Sequence, residues 1–166
     1  EFALGADLDN IQTAINALGK LTDGGVHFSL NSATYSGTPF HKIENVIPHV
    51  FTGKHPAGNV GVQIHHISPI RKGETVWTVS LLMLAAIGKL FNTGKYDLKR
   101  KIAVTGPKAN NPAYVEGYPG IAIKDVADFY NASEDLRFVS GDVLTGTNVG
   151  KDGYLGFFDN QVTILE

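Results

Sequence analysis

LDNIQTAINALGKLTDGGVHFSL, residues 8–30, holds a helix and a strand in succession. Leu8, Ile11, Ile15 and Leu18 recur at three- and four-residue intervals, which places them on one face of a helix over Asp7–Leu18. Gly19 is its natural stop. The Asp23-Gly24-Gly25 turn follows, and Val26-His27-Phe28-Ser29-Leu30 then alternates as a strand does. Helix, turn, strand is half of an α/β unit. No strand opens the chain, which starts Glu1-Phe2 without a Met, so the expectation is a slice of a longer protein.

The pattern continues downstream. Residues 31–45 are polar and turn-rich around Ser36-Gly37-Thr38-Pro39 and read as a surface loop. Ile47–Phe51 is a short strand that Pro48 confines to an edge or a start. Val60 to Ile67 alternates, with Val60, Val62 and Ile64 on one face and Gln63 and His65 on the other, and is read as a strand. Thr75 to Val79 is another strand, entered through Lys72-Gly73. Ser80 caps a helix to about Phe91, whose inner stripe is Leu81, Leu84, Ile87, Gly88 and Phe91. Gly94 ends it.

Residues 95–101, KYDLKRK, are charge-dense and read as a boundary. Beyond them Ile102–Gly106 is a strand, and Tyr114-Val115-Glu116 pairs back on it through the Asn110-Asn111-Pro112 turn. Pro119-Gly120 opens a helix carrying Ile123, Val126, Ala127 and Tyr130, Arg137–Val139 is a strand, and Gln161–Leu165 closes the chain as another. Hairpin, helix, strand is the order of a small β-grasp unit. The expected organisation is an α/β region over residues 1–94 and a β-grasp region over 95–150. Residues 151–166 form a strand leading into a further C-terminal region.

Composition excludes several functions. The 166 residues suffice for one full domain or two small ones, and 43% hydrophobic content is that of a globular protein. Fourteen Lys and Arg against sixteen Asp and Glu give a net charge of −2, which supplies no field for nucleic acid. Cysteine is absent, so this chain contains no disulfide, thiol nucleophile or Cys-ligated iron–sulfur cluster. The longest apolar run, Leu81–Ile87, is far short of the ~20 residues that span a bilayer, and no signal peptide is expected. The Asn131-Ala132-Ser133 sequon reads as chance.

Catalytic signatures are weak. Gly146-Thr147-Asn148-Val149-Gly150-Lys151 is one residue short of a phosphate loop, and Asp152 stands where a magnesium-binding hydroxyl is needed. A turn between strands is the better reading. No G-x-G-x-x-G links a strand to a helix, and no G-x-S-x-G elbow occurs. Asp125 and Asp128 lie opposite the apolar stripe of their helix and read as a solvated face. The KYDLKRK run could meet an anionic partner or lipid headgroups, but a lysine-protected strand edge is the commoner case.

Six histidines are numerous: His27, His41, His49, His55, His65 and His66. On a strand His65 and His66 face opposite ways and cannot share one metal ion without a bulge, so ordinary hydrogen-bonded histidines are favoured over a histidine metalloenzyme. The remaining candidate is GKHPAGNVGVQIH, residues 53–65. Gly53, Pro56, Gly58 and Gly61 shape a sharply turning backbone without side-chain bulk, beside His55 and His65. Another chain or a ligand can approach such a backbone closely. A strand-entry loop packed within its own domain is the alternative.

These residues also carry a resemblance. Gly53-x-His55-Pro56-Ala57-Gly58-x-x-Gly61-x-x-Ile64-His65 resembles a signature of the A subunits of the sodium-translocating NADH:quinone reductases (Na+-NQR). So do Ala86-Ile87-Gly88-x-Leu90-Phe91-x-Thr93-Gly94, Gly106-Pro107, Ser140-Gly141-x-Val143-Leu144-x-Gly146 and Tyr154-Leu155-Gly156. The matches run in order over roughly residues 46–166, while residues 1–45 match only in pattern.

The resemblance implies a central slice of such a subunit. It implies a Rossmann-like α/β region without a nucleotide fingerprint and a soluble-ligand-binding β-grasp (SLBB-like) region, both related to the flavin subunit of respiratory complex I. It further implies a peripheral position on the cytoplasmic side of the bacterial inner membrane, docked on the membrane-embedded B subunit. No cofactor is expected in this chain, and NAD, FAD, FMN and iron–sulfur centres are expected on other subunits. The parent complex would oxidise NADH, reduce ubiquinone or menaquinone and transport sodium. This chain would act as scaffold and contribute to quinone binding through Gly53, His55, Pro56, Gly58, Gly61 and His65, with no catalytic residue of its own. The related branch with Cys-ligated clusters is disfavoured by the absence of cysteine. A stand-alone β-grasp module binding a soluble ligand is the alternative from another class.

Overall fold

The computed structural model describes residues 7–35, 37–125 and 135–166. The chain divides into two compact units, Glu1–Asp97 and Leu98–Glu166. Each has its own hydrophobic core.

In the first unit, α1 (Leu8–Leu18) buries Ile11, Ala14 and Ile15, the face drawn by the helical spacing. Strand β1 (His27–Asn31) turns Phe28 and Leu30 inward and leaves His27 and Ser29 exposed. A single turn of helix, α2 (Ser32–Tyr35), and a 3-10 turn (Pro39–Lys42) occupy the expected loop. From the latter, Phe40 meets Phe28 edge-on at 6.3 Å between ring centroids. β2 (Ile47–Phe51) pairs with β1 in parallel, Phe28 opposite Pro48 and Leu30 opposite Val50. Helices α3 (Val60–Ile67) and α4 (Leu81–Thr93) follow. Ser80 caps α4, its Oγ accepting from the Met83 N–H at 3.3 Å, and Gly94 ends it in the left-handed region at φ 69°. α4 lies directly on α1: a Cβ at Gly88 would overlap the Asn10 carbonyl, and Asn92 Nδ2 donates to Asn10 Oδ1 at 2.9 Å.

Two expected strands are corrected. Val60–Ile67 is helical. Its apolar residues Val60, Ile64 and Ile67 sit at i, i+4 and i+7 as well as in partial alternation, so the pattern fits both periods. Asn59, extended at ψ 128°, starts a helix after the Gly/Pro turn. Thr75–Val79 is in no sheet, because no strand among the described residues lies beside it.

The second unit is a five-stranded mixed sheet. Its strands are β3 (Arg100–Thr105), β4 (Ala113–Gly117), β5 (Arg137–Ser140), β6 (Thr147–Asn148) and β7 (Gln161–Leu165), in the order β4-β3-β7-β5-β6. β3 and β7 are parallel at the centre and the other pairs are antiparallel, which is the β-grasp arrangement. Alternate residues of these strands, among them Ile102, Val104, Phe138, Val162 and Ile164, form the core with Ile123 and Leu155. The expected helix beyond Pro119-Gly120 falls largely on residues 126–134, outside the described residues; Ile123 is fully buried. Within the Gly146–Lys151 stretch the chain forms β6, with Asn148 opposite Val139. The whole chain is thus α/β in its first unit and a β-grasp in its second.

Candidate functional site

The Gly/Pro segment bridges β2 and α3. Gly53, at φ 130°, adopts a backbone conformation open chiefly to glycine. The His55–Pro56 peptide is cis. The Ala57 N–H donates to the Lys54 carbonyl at 3.0 Å and the Asn59 N–H to the Pro56 carbonyl at 2.9 Å, so two successive turns reverse the chain. Gln63, one turn into α3, donates from Nε2 to the Ala57 carbonyl at 3.1 Å and ties the helix to the turn.

This reversal borders an open surface depression of about 520 Å³, called the cavity below, whose lining residues are exposed or half-buried. Val50, Phe51 and Thr52 come from the end of β2, Lys54, Pro56 and Ala57 from the turn, and Val62 and His66 from α3. The walls are mainly apolar, with the Thr52 hydroxyl, the Lys54 ammonium and the His66 imidazole as hydrogen-bond donors. That combination suits a flat apolar molecule with acceptor oxygens, since apolar walls supply the burial and a few polar groups fix orientation.

Pro56 is the one expected site residue that lines the cavity. Gly53 stands at its entrance turn, two residues from Phe51. His55, Gly58, Gly61 and His65 belong to the same segment and do not line it. A Cβ at Gly58 or Gly61 would meet nothing within 4 Å, so among the described residues no backbone presses on either. His66 takes the lining position, its ring edge-on to that of His65 at 5.8 Å. Lys54, Val62 and His66 are contributors that the strand reading missed. A helical reading of Val60–Ile67 would have found the last two, since positions 62 and 66 are i, i+4 neighbours on one face.

Elsewhere the polar groupings are structural. His27 Nδ1 and His49 Nε2 share a hydrogen bond of 2.9 Å across the exposed face of β1 and β2, with rings stacked at 5.1 Å. Among the described residues no three His, Asp or Glu side chains gather as a metal-ligand set. In the second unit the buried Ser140 donates from Oγ to Asp159 Oδ2 at 2.5 Å and accepts from the Gly156 N–H at 2.9 Å. Arg100 Nη2 donates to the Phe157 and Asp159 carbonyls at 2.5 and 3.0 Å. Burial pulls the Arg100 pKa down and the Asp159 charge opposes it. Asp142 accepts from the Thr145 and Leu144 N–H groups and the Thr145 hydroxyl, which hold its carboxyl below the ordinary value. These contacts tie loops together. No helix among the described residues is long and apolar enough to cross a membrane.

Comparison with known sequences agrees across both units. Residues 1–96 match the family described as NqrA second alpha/beta domain, and residues 101–151 the one described as NQRA C-terminal domain. Three curated relatives are each named as the A subunit of a Na(+)-translocating NADH-quinone reductase. The one from Rhodopirellula baltica is 37% identical over 160 residues, a match covering 95% of this chain and 35% of the relative. That from Alcanivorax borkumensis is 38% identical over 152 residues, 91% of this chain and 34% of the relative. That from Vibrio parahaemolyticus is 35% identical over 152 residues, 91% and 33%. The chain thus spans about a third of the length of these relatives. With more than half of its residues inside one family match and most of the second unit's strands in its companion, the chain belongs to the NqrA family, the A subunits of the Na(+)-translocating NADH-quinone reductases.

Proposed function

We propose that this chain is the central part of a peripheral, cofactor-free subunit of a sodium-pumping NADH:quinone oxidoreductase. There it acts as scaffold and contributes a surface to quinone binding. In this reading NAD, flavin and iron–sulfur centres belong to other subunits. The chain docks on the membrane-embedded B subunit, on the cytoplasmic side of the inner membrane, and the complex couples quinone reduction to sodium transport. Residues 1–94 supply the quinone surface, and residues 95–150 the β-grasp scaffold, which residues 151–166 complete with the central strand β7 before the chain passes toward the C-terminal part.

The observation that carries the quinone assignment is the apolar cavity between β2 and α3. A quinone ring is flat and apolar with two carbonyl acceptors, and the cavity offers Val50, Phe51, Pro56 and Val62 as walls with Lys54 and His66 as donors. Gly53, His55, Gly58, Gly61 and His65 belong to the same segment, and the open space over Gly58 and Gly61 leaves room for a tail or a neighbouring subunit.

The test is steady-state kinetics of the intact complex. His66→Ala combined with His55→Ala and His65→Ala should raise the KM for quinone, while NADH oxidation by an artificial acceptor stays unchanged. Unaltered quinone kinetics in the triple variant would remove the site and leave the scaffold role alone.

A further inference from the structure

The cavity between β2 and α3 is assembled from separate pieces of chain whose spacing decides its shape. Lys54, Pro56 and Ala57 come from the turn, and Val62 and His66 from the helix. Two of its donors, Lys54 and His66, therefore stand on different pieces. α3 is not held in place by burial, since none of its eight residues is buried. Apolar packing, which fixes most helices, is thus weak here. Its N-terminus gains nothing from Asn59, which makes no side-chain cap bond.

Gln63 supplies a tie from inside the helix. It is half-buried and does not line the cavity. Its side chain reaches back six residues and donates from Nε2 to the Ala57 carbonyl at 3.1 Å. A carbonyl only accepts, so only the NH2 end of the amide can make this contact. Ala57 passes the tie on, because its own N–H donates to the Lys54 carbonyl at 3.0 Å. Two hydrogen bonds in series thus connect the helix that carries Val62 and His66 to the turn that carries Lys54. His66 stands nearly one helical turn beyond Gln63, so a swing of α3 about its N-terminal end moves the imidazole relative to the ammonium.

We infer that Gln63 is a positioning residue for quinone: its amide holds α3 at the separation from the turn at which Lys54 and His66 address the same bound ring. The inference rests on the quinone reading of the cavity. A helix released from the turn adopts other angles, and only the fraction with the right one binds, so apparent affinity falls with that fraction. Chemistry after binding is untouched.

Steady-state kinetics of the intact complex with a short-tailed quinone tests this. Gln63→Met keeps the length and helix propensity of the side chain and removes the donor. The KM for quinone should rise about three- to tenfold, the range that one neutral hydrogen bond supports, with kcat at saturating quinone unchanged. Gln63→Glu separates positioning from packing. Its carboxyl donates to the Ala57 carbonyl when protonated and repels it when ionised. The ratio of its KM to that of wild type should be near one at low pH and climb as pH rises through the carboxyl pKa. Lys54, His65 and His66 titrate in both proteins, so the ratio isolates the new carboxyl. A wild-type KM in Gln63→Met, or a ratio for Gln63→Glu that does not change with pH, would overturn the inference. So would a fall in kcat, which marks a general structural role. Val62→Trp, which fills the cavity, distinguishes the two levels. If it raises the KM while Gln63→Met does not, the quinone site stands and the positioning role falls. If neither variant changes the KM, the quinone reading falls and takes the inference with it.

Discussion

Gly88 and Ser140 show how single atoms constrain this chain. At Gly88, α4 touches the backbone of α1, so an added methyl would overlap the Asn10 carbonyl. Alanine gains about 1 kcal/mol in helix propensity over glycine, but overpacking against backbone costs about 1–3 kcal/mol because no side chain can move aside. Steric cost wins, and Gly88→Ala should lower the urea midpoint of the first unit. Ser140→Ala leaves the half-buried Gly156 N–H without its acceptor and removes the donor to Asp159, so a loss of about 1–3 kcal/mol is expected in the second unit. Asp142 predicts a pH dependence. Its folded pKa lies below the unfolded value of 3.8 through bonds from Thr145 and Leu144, so its contribution is present above that value and is lost as pH falls through the folded pKa. Asp142→Ala should be less stable than wild type at neutral pH, with the difference vanishing on acidification; a pH-independent difference in thermal midpoint would contradict this.

Among elements, α4 offers the simplest check. Ser80→Ala removes the acceptor for the Met83 N–H and should cost about 1 kcal/mol in urea unfolding. The helices α1 and α4 and the strands β1, β2, β3, β4, β5 and β7 were legible because each shows one clear period or a local stop such as Gly19 or Gly94. α3 was not, because eight residues with apolar side chains at 60, 62, 64 and 67 satisfy both periods, and nothing local breaks the tie. The strand reading set His65 beside Gln63 on one face, whereas the helix brings His66 one turn beyond Val62 on the cavity wall. Thr75–Val79 has the composition of a strand, yet a strand exists only with a neighbour, and none of the described residues supplies one.

At the scale of the molecule, the sequence motifs spread over residues 46–166 mark the family without any geometry, and the matches over residues 1–96 and 101–151 agree with it. What residue patterns alone could not provide is the cavity, which depends on the angle at which the turn sets α3 against β2. The claim that most needs testing is that this cavity receives quinone. Val62→Trp fills it from the helix wall while leaving His55, His65 and His66 in place. Equilibrium binding of a short-tailed quinone to the purified full-length subunit should weaken about tenfold or more, equivalent to about 1.4 kcal/mol, with the thermal midpoint held within a few degrees. Unchanged quinone affinity in a folded Val62→Trp variant would contradict the account.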